Sequence, residues 1–306
     1  MKAHMHRFLL HNDEIHETSE RLLSPGQVGL LSGWGVFSTI KVADGVLFAF
    51  ERHWARMSRD AALMRVPLPA DAVRVRNNLL RLVEKNGAAC STMRVVVVRN
   101  RGGMWEAPHQ TRPSDLIALT ADSHEWGDSV KLDYVPQARH AASMFAGTKI
   151  LAWAMNVTWL EAAHARGFDE VILLNERGEV AECTSANIFA AKGDQVWTPP
   201  VGSGCLPGIT RELLLGEVRA PGVRVSEKTL TPSDLESADE VFITSTTRGL
   251  LPVLKIGDRE IRDTGRTRQA LQAAFQAYEN EYVAAQTATS LFAADRGRNP
   301  DARACP

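Results

Sequence analysis

Short apolar runs alternate with polar positions over residues 35–50 and reverse at Asp44-Gly45, a strong two-residue hairpin signal. Strands are therefore expected at 36–42 and 46–50, followed by a helix over 51–64. Apolar residues at helical spacing predict a second helix over 71–85, stopped at Asn86-Gly87. The β-branched run 93–98 reads as a buried strand, and 113–119 as another. Polar residues crowd 121–129, the expected linker. Beyond it the pattern predicts a helix over 150–166 stopped by Gly167, a strand over 171–175, and a hairpin centred on Lys192-Gly193-Asp194. Strand-to-helix junctions are expected at Gly208-Ile209-Thr210 and at 244–247, and a last helix over 265–283. Hairpins and helices come in blocks rather than in strict alternation, which favours an α+β class over a doubly wound sheet. The expected division is a small α+β domain over 1–123, a linker over 124–129, a larger domain over 130–282, and a tail over 283–306 whose last dozen residues are disordered.

Composition changes this picture little. The 306 residues are 44% hydrophobic and 23% charged, ordinary values for a globular chain. A net charge of -1 gives no global pull toward nucleic acid or an anionic membrane. No apolar run approaches the roughly 20 residues of a spanning helix, and the first ten residues lack a secretory apolar region. Cys90, Cys183, Cys205 and Cys305 are far apart and fit no zinc spacing, so reduced thiols and a cytoplasmic location are expected. His4, His6, His11 and His16 read as surface residues, and no metal site is expected.

Chemistry gathers in the second half. Glu182-Cys-Thr-Ser-Ala-Asn-Ile-Phe is followed by Leu206-Pro-Gly-Ile-Thr-Arg, which opens a helix at a Gly-Ile-Thr corner. Free amides and a hydroxyl at a helix start suit a phosphate, although Thr210 could equally be a plain N-cap. Thr244-Ser-Thr-Thr is a second hydroxyl-rich corner. Lys149 alone would pass for a solvated surface lysine.

Together with Gly33-Trp-Gly-Val-Phe, Glu51-Arg-His-Trp-Ala-Arg, Gly167-Phe-Asp-Glu, Thr198-Pro-Pro and Asp239-Glu-Val-Phe, these segments resemble the fold-type IV pyridoxal phosphate enzymes over residues 8–278. That is the class IV aminotransferase group, which holds branched-chain and D-amino-acid aminotransferases and aminodeoxychorismate lyase. The resemblance implies a two-domain fold with pyridoxal 5′-phosphate between the domains, and a homodimer acting on a small amino acid and a keto acid. It implies Lys149 as the Schiff-base lysine and Glu182 as the acid that keeps the pyridine nitrogen protonated. It implies Arg56, the amide of Ile209, Thr210 and Thr246 as phosphate ligands. Trp34, Phe37, Arg94, Arg99 and Thr247 are implied at the substrate, with Arg248 at the pocket rim. Arg94 and Arg99 lie an odd number of positions apart on one predicted strand, so only one of them should enter the cavity. The expected activity is ping-pong transamination between an amino acid, branched-chain by preference, and a 2-keto acid. Two departures stand out: Ala152-Trp153 where the group has an Asn, and Ser38-Thr39 where many members have Glu after the aromatic residue. The second resembles aminodeoxychorismate lyase, which releases pyruvate, and keeps that activity as the alternative.

Overall fold

The computed structural model describes residues 4–103, 106 and 111–294. The chain divides into two compact units, one holding the chain up to Glu125, Lys149–Ala152 and the chain from Glu279 on, the other holding Trp126–Thr148 and Trp153–Tyr278. Residues 149–152 and 279–282, expected in the second domain, belong to the first unit.

In the first unit, β1 (Met5–His11), β2 (Glu14–Glu17), β3 (Gly35–Ala43), β4 (Val46–Leu47), β5 (Ser91–Arg99) and β6 (Ser114–Asp122) form a sheet in the order β2-β1-β6-β5-β3-β4. Helices α1 (Val28–Ser32), α2 (Phe50–Leu63) and α3 (Ala72–Asn86) lie in the intervening segments. The β3–β4 turn has φ 49° at Asp44 and 77° at Gly45, the two positive values that a type I′ hairpin needs. The expected second strand is cut to Val46–Leu47 because Ala49, at φ 52°, turns the chain into α2. Asp71 caps α3 by accepting from the Arg74 N–H, and Gly87, at φ 60°, ends it. Val36, Ile40 and Val42 of β3 and Val95 and Val97 of β5 share a core with Met57, Ala61, Leu79 and Leu82 of the two long helices.

The second unit is built on β7 (Val130–Arg139), β8 (Glu170–Asn175), β9 (Val180–Cys183), β10 (Asn187–Lys192), β11 (Gln195–Thr198), β12 (Arg224–Glu227), β13 (Glu240–Ser245), β14 (Gly249–Ile256) and β15 (Arg259–Glu260). The strand order is β12-β11-β10-β13-β14-β7-β8-β9, with β15 beside β14. Helices α4 (Ala154–His164), α5 (Ile209–Gly216) and α6 (Pro232–Glu236) join it, and α7 (Arg266–Ala294) gives this unit its residues to Tyr278. Every residue of β8 and β9 is buried, the apolar run 171–174 together with the polar Glu170, Asn175 and Glu182.

The mixed hairpins and helices match the expected α+β class. Three local expectations do not hold. The helix expected from residue 150 starts only at Ala154, because Lys149–Leu151 is drawn out along β3: Phe37 N–H donates to Lys149 O at 3.0 Å and Leu151 N–H to Gly35 O at 3.0 Å. Residues 244–247 lead into β14, not a helix, so their hydroxyls sit at a hairpin end. The last helix runs on to Ala294 rather than stopping near 283, while the expectation for the final dozen residues lies outside the described residues. Cys183 and Cys205 are free and buried, while Cys305 lies outside the described residues. Among the described residues no helix is long and apolar enough to cross a membrane.

Candidate active site

In the first unit the chemistry collects around β3, β5 and α2. The bonds that hold Lys149 to β3 are joined by one from its own backbone N–H to Asp60 Oδ2 at 3.0 Å, so α2 fixes the lysine's main chain. The Lys149 ammonium lies 4.6 Å from the centre of the Phe37 ring, and the Arg94 guanidinium 4.0 Å from the same ring. Burial lowers the Arg94 pKa from its usual value, the mark of a cation held partly out of water.

Arg99 is engaged differently. Its Nε donates to Arg101 O at 2.6 Å and its Nη1 to Arg65 O at 2.5 Å, while its guanidinium stacks 4.0 Å from the Trp34 ring. Trp34 in turn donates its indole N–H to Met64 O at 2.7 Å. These bonds make Arg99 and Trp34 a structural pair that ties loop carbonyls to the sheet. Arg56 lies on α2 and donates from Nη2 to Ser38 Oγ at 3.0 Å, and Ser38 Oγ is 2.7 Å from His53 Nδ1. His53 is fully buried, and burial first, then the positive charges of Arg56 and Lys149, push its pKa well below the usual histidine value. The ring is therefore neutral, and its Nε2 has no hydrogen-bond partner among the described residues.

The second unit carries the acid and the hydroxyl corners. Glu182 on β9 accepts from Arg139 Nε at 3.1 Å and from the Leu206 N–H at 3.0 Å. An ionised carboxylate has about four acceptor positions, so it keeps room for a further donor such as a ring N–H. Asn187 opens β10, and its Nδ2 donates to Leu206 O at 2.8 Å, which holds the turn ahead of α5. Gly208 caps α5 with no side chain, and a Cβ there would fall 2.1 Å from Asn187 Oδ1. The first-turn amides of Ile209 and Thr210 therefore have no side-chain cap. Asn187 pairs with Thr244 across β10 and β13, which brings this corner to the Thr244–Thr246 end of the sheet. There Thr244 Oγ1 and Ser245 Oγ are buried without a hydrogen-bond partner among the described residues. Uncapped amides beside unpartnered hydroxyls form a donor set suited to a phosphate, and a carboxylate with spare acceptor capacity suits a protonated ring nitrogen. The residues fit pyridoxal phosphate on these grounds.

Thr246 and Thr247 are partly exposed in the turn that follows β13. Arg248 is not at a rim. Its side chain is buried, 3.7 Å from Glu170, with bonds from Nη1 to Ser185 Oγ at 2.9 Å and Ser185 O at 3.1 Å, and it packs on the Trp126 ring. Glu170 also accepts from the Thr184 and Ser185 hydroxyls, so this cluster ties the segment after Glu182 to the turn bearing Thr246. Cys183 is fully buried and its thiol pKa is driven up by desolvation, which makes it a packing residue rather than a nucleophile.

Sequence reasoning missed His53, Asp60, Arg139 and the Glu170–Arg248 pair. A signal existed for the first two. His53, Arg56 and Asp60 recur at helical spacing and place three polar groups on the buried face of α2. Arg139 and Arg248 had no such mark, because only the sheet brings them to their acids.

The model of the family described as Amino-transferase class IV matches residues 35–256. The chain belongs to that family and is an enzyme. A Methanocaldococcus jannaschii protein named "Putative branched-chain-amino-acid aminotransferase" is 30% identical over 87% of this chain and 94% of its own. A D-alanine aminotransferase of Bacillus licheniformis is 28% identical over 83% of this chain and 89% of its own. Among solved structures, the branched-chain amino acid aminotransferase from Escherichia coli superposes with a TM-score of 0.81 at 22% identity, covering 90% of this chain and 94% of that one, a likeness of fold.

Proposed function

We propose that the protein is a pyridoxal phosphate-dependent transaminase that moves an amino group between an amino acid of branched-chain type and a 2-keto acid. The observation that carries this reading is the Phe37 ring with the Lys149 amine and the Arg94 guanidinium against it. A carboxylate reader, a base and an apolar wall meet at one residue, which is what an α-amino acid with an aliphatic side chain requires. When bound, the cofactor supplies an aldehyde to receive the amino group and a ring that draws electrons from the substrate carbon.

The chain's own residues do the rest. Lys149 Nζ would hold the cofactor and is the base that would move a proton at the substrate α carbon. Arg94 receives the carboxylate, and the Thr247 backbone offers a further donor. Glu182 accepts the ring N–H, with Arg139 holding its other oxygen. Arg56, the Ile209 amide, Thr210 and Thr246 take the phosphate. The relatives' names support the amino-acid class and divide between branched-chain amino acids and D-alanine. The lyase alternative leaned on the Ser38-Thr39 pair and, in the same direction, on Glu182-Cys183. Ser38 Oγ is taken up by His53 and Arg56, which leaves one hydroxyl of the two for a substrate and puts transamination first. We place the working enzyme in a homodimer in the cytoplasm; exposed Met144, Phe145, Met155 and Val157 on the second unit give a second copy apolar surface to cover.

The test is the absorption spectrum of the purified, cofactor-loaded protein mixed with L- and D-amino acids singly and no keto acid. A branched-chain amino acid should shift the cofactor band and release one keto acid per subunit, and Lys149→Ala should do neither. Pyruvate release from aminodeoxychorismate, with every amino acid inert, would replace the proposal with the lyase.

A further inference from the structure

Three buried groups on the first unit share one oxygen. Ser38 sits on the β3 face that carries Val36, Ile40 and Val42 into the core, and it is 0% exposed. A hydroxyl there costs desolvation unless it is used. α2 crosses that face and presents His53 and Arg56 one turn apart, at 0% and 7% exposure. A guanidinium only donates, so at the 3.0 Å contact Ser38 Oγ accepts from Arg56 Nη2. His53 Nδ1 lies 2.7 Å from the same oxygen, so the hydroxyl is hydrogen-bonded to both side chains at once. The neutral state of His53 agrees with this, since both its burial and its two cationic neighbours oppose a second proton.

We propose that Ser38 and His53 are positioning residues that lock the Arg56 guanidinium in the rotamer that receives the cofactor phosphate. An arginine side chain loses rotamer freedom when it grips an anion, and a clamp set before binding removes that loss from the binding step. Ser38 orients Arg56 through its bond to Nη2, and His53 orients Ser38 through the contact of its Nδ1 with the same oxygen. The inference rests on the reading of Arg56 as a phosphate ligand and goes further by naming what holds it.

The full-length protein, freed of cofactor, is titrated with pyridoxal phosphate and separately with pyridoxal, which lacks the phosphate. Ser38→Ala removes one oxygen and should weaken pyridoxal phosphate by about tenfold while leaving pyridoxal within about twofold, the scale of a lost charge-assisted bond. Ser38→Thr keeps the hydroxyl and should restore the difference. His53→Leu should behave as Ser38→Ala, and His53→Asn, whose amide oxygen can accept from Ser38, should recover most of the loss. Unchanged phosphate preference in Ser38→Ala, or an equal loss for both ligands, overturns the clamp. Arg56→Ala separates the two readings: if it leaves the preference for pyridoxal phosphate intact, the assignment of Arg56 itself fails, and if it abolishes the preference while Ser38→Ala does not, only the clamp fails. Should His53→Leu not fold, the Ser38 pair decides alone.

Discussion

Arg94 and Arg99 stand five positions apart on β5, and the strand's alternation separates them as the sequence implies. What the alternation leaves open is which of the two is available to a ligand. Arg99 spends its donors on two loop carbonyls, whereas Arg94 lies against the ring that also faces Lys149. Arg94→Leu should therefore raise the KM for the amino acid by roughly 30-fold with a smaller change in kcat, as expected when a charged hydrogen bond to a carboxylate is lost. Steady-state kinetics on purified protein measure this; an unchanged KM would assign the carboxylate to another donor. Arg99→Leu should instead lower the melting temperature. His53 carries a pH signature. Its folded pKa lies well below the unfolded value of 6.5, so below about pH 6.5 the unfolded chain binds the extra proton and the folded one does not. Stability that is complete above that pH should be lost as the pH falls through it, and His53→Asn should flatten that part of a denaturant-unfolding series taken from pH 7.5 to 5.

At the scale of elements, β3 and α2 do most of the positioning. The β3 edge beside residues 35–37 is paired by Lys149–Leu151, and this pairing needs a bare backbone. A Cβ on Gly35 would fall 2.4 Å from Val97 O and 2.5 Å from Leu151 Cδ1, and one on Gly33, at φ 61°, would fall 3.0 Å from Ala152 Cα. The close approach of Ala152 to Gly33 is where this chain departs from the Asn of the group it resembles. Gly35→Ala must move β3 from the Val97 carbonyl of β5 and displace the Leu151 side chain of the lysine segment. It should cost about 1–3 kcal/mol in chemical denaturation, typical of overpacking, and weaken cofactor retention as well. Loss of stability with full retention would show that the strand contact does not place Lys149. α2 supplies the other restraint, since Asp60 binds the Lys149 amide one turn beyond Arg56. The helix was legible from its period, but its polar face was not, because period shows which positions share a side and not what each one meets.

For the whole molecule, the expected homodimer predicts a solution mass near twice 33.6 kDa by light scattering, with Phe145→Glu shifting it toward one subunit. A single-subunit mass for the unaltered protein would reject it. The sequence by itself determined the elements whose signals are local: the Asp44-Gly45 hairpin, the Asp71 and Gly87 ends of α3, the buried runs of β5 and β8, and the glycine corner before α5. Each depends on backbone conformation or side-chain period within a few residues, which neighbouring sequence sets. The resemblance to the class IV aminotransferases likewise implied Lys149, Arg56, Glu182 and Thr210, because residue types in order survive without coordinates. Only the tertiary structure decided the rest. Ile150 and Leu151 were expected in a helix and, with Lys149, became an edge partner of β3, since strand pairing with a distant segment outweighs local helical preference. Arg248 was expected at a rim and its side chain is buried with Glu170 and Ser185, and Ser38, noted only as half of a hydroxyl pair, serves His53 and Arg56. Such roles depend on which polar groups a fold brings within about 3 Å of each other in the absence of water, and no local pattern along a chain encodes that distance.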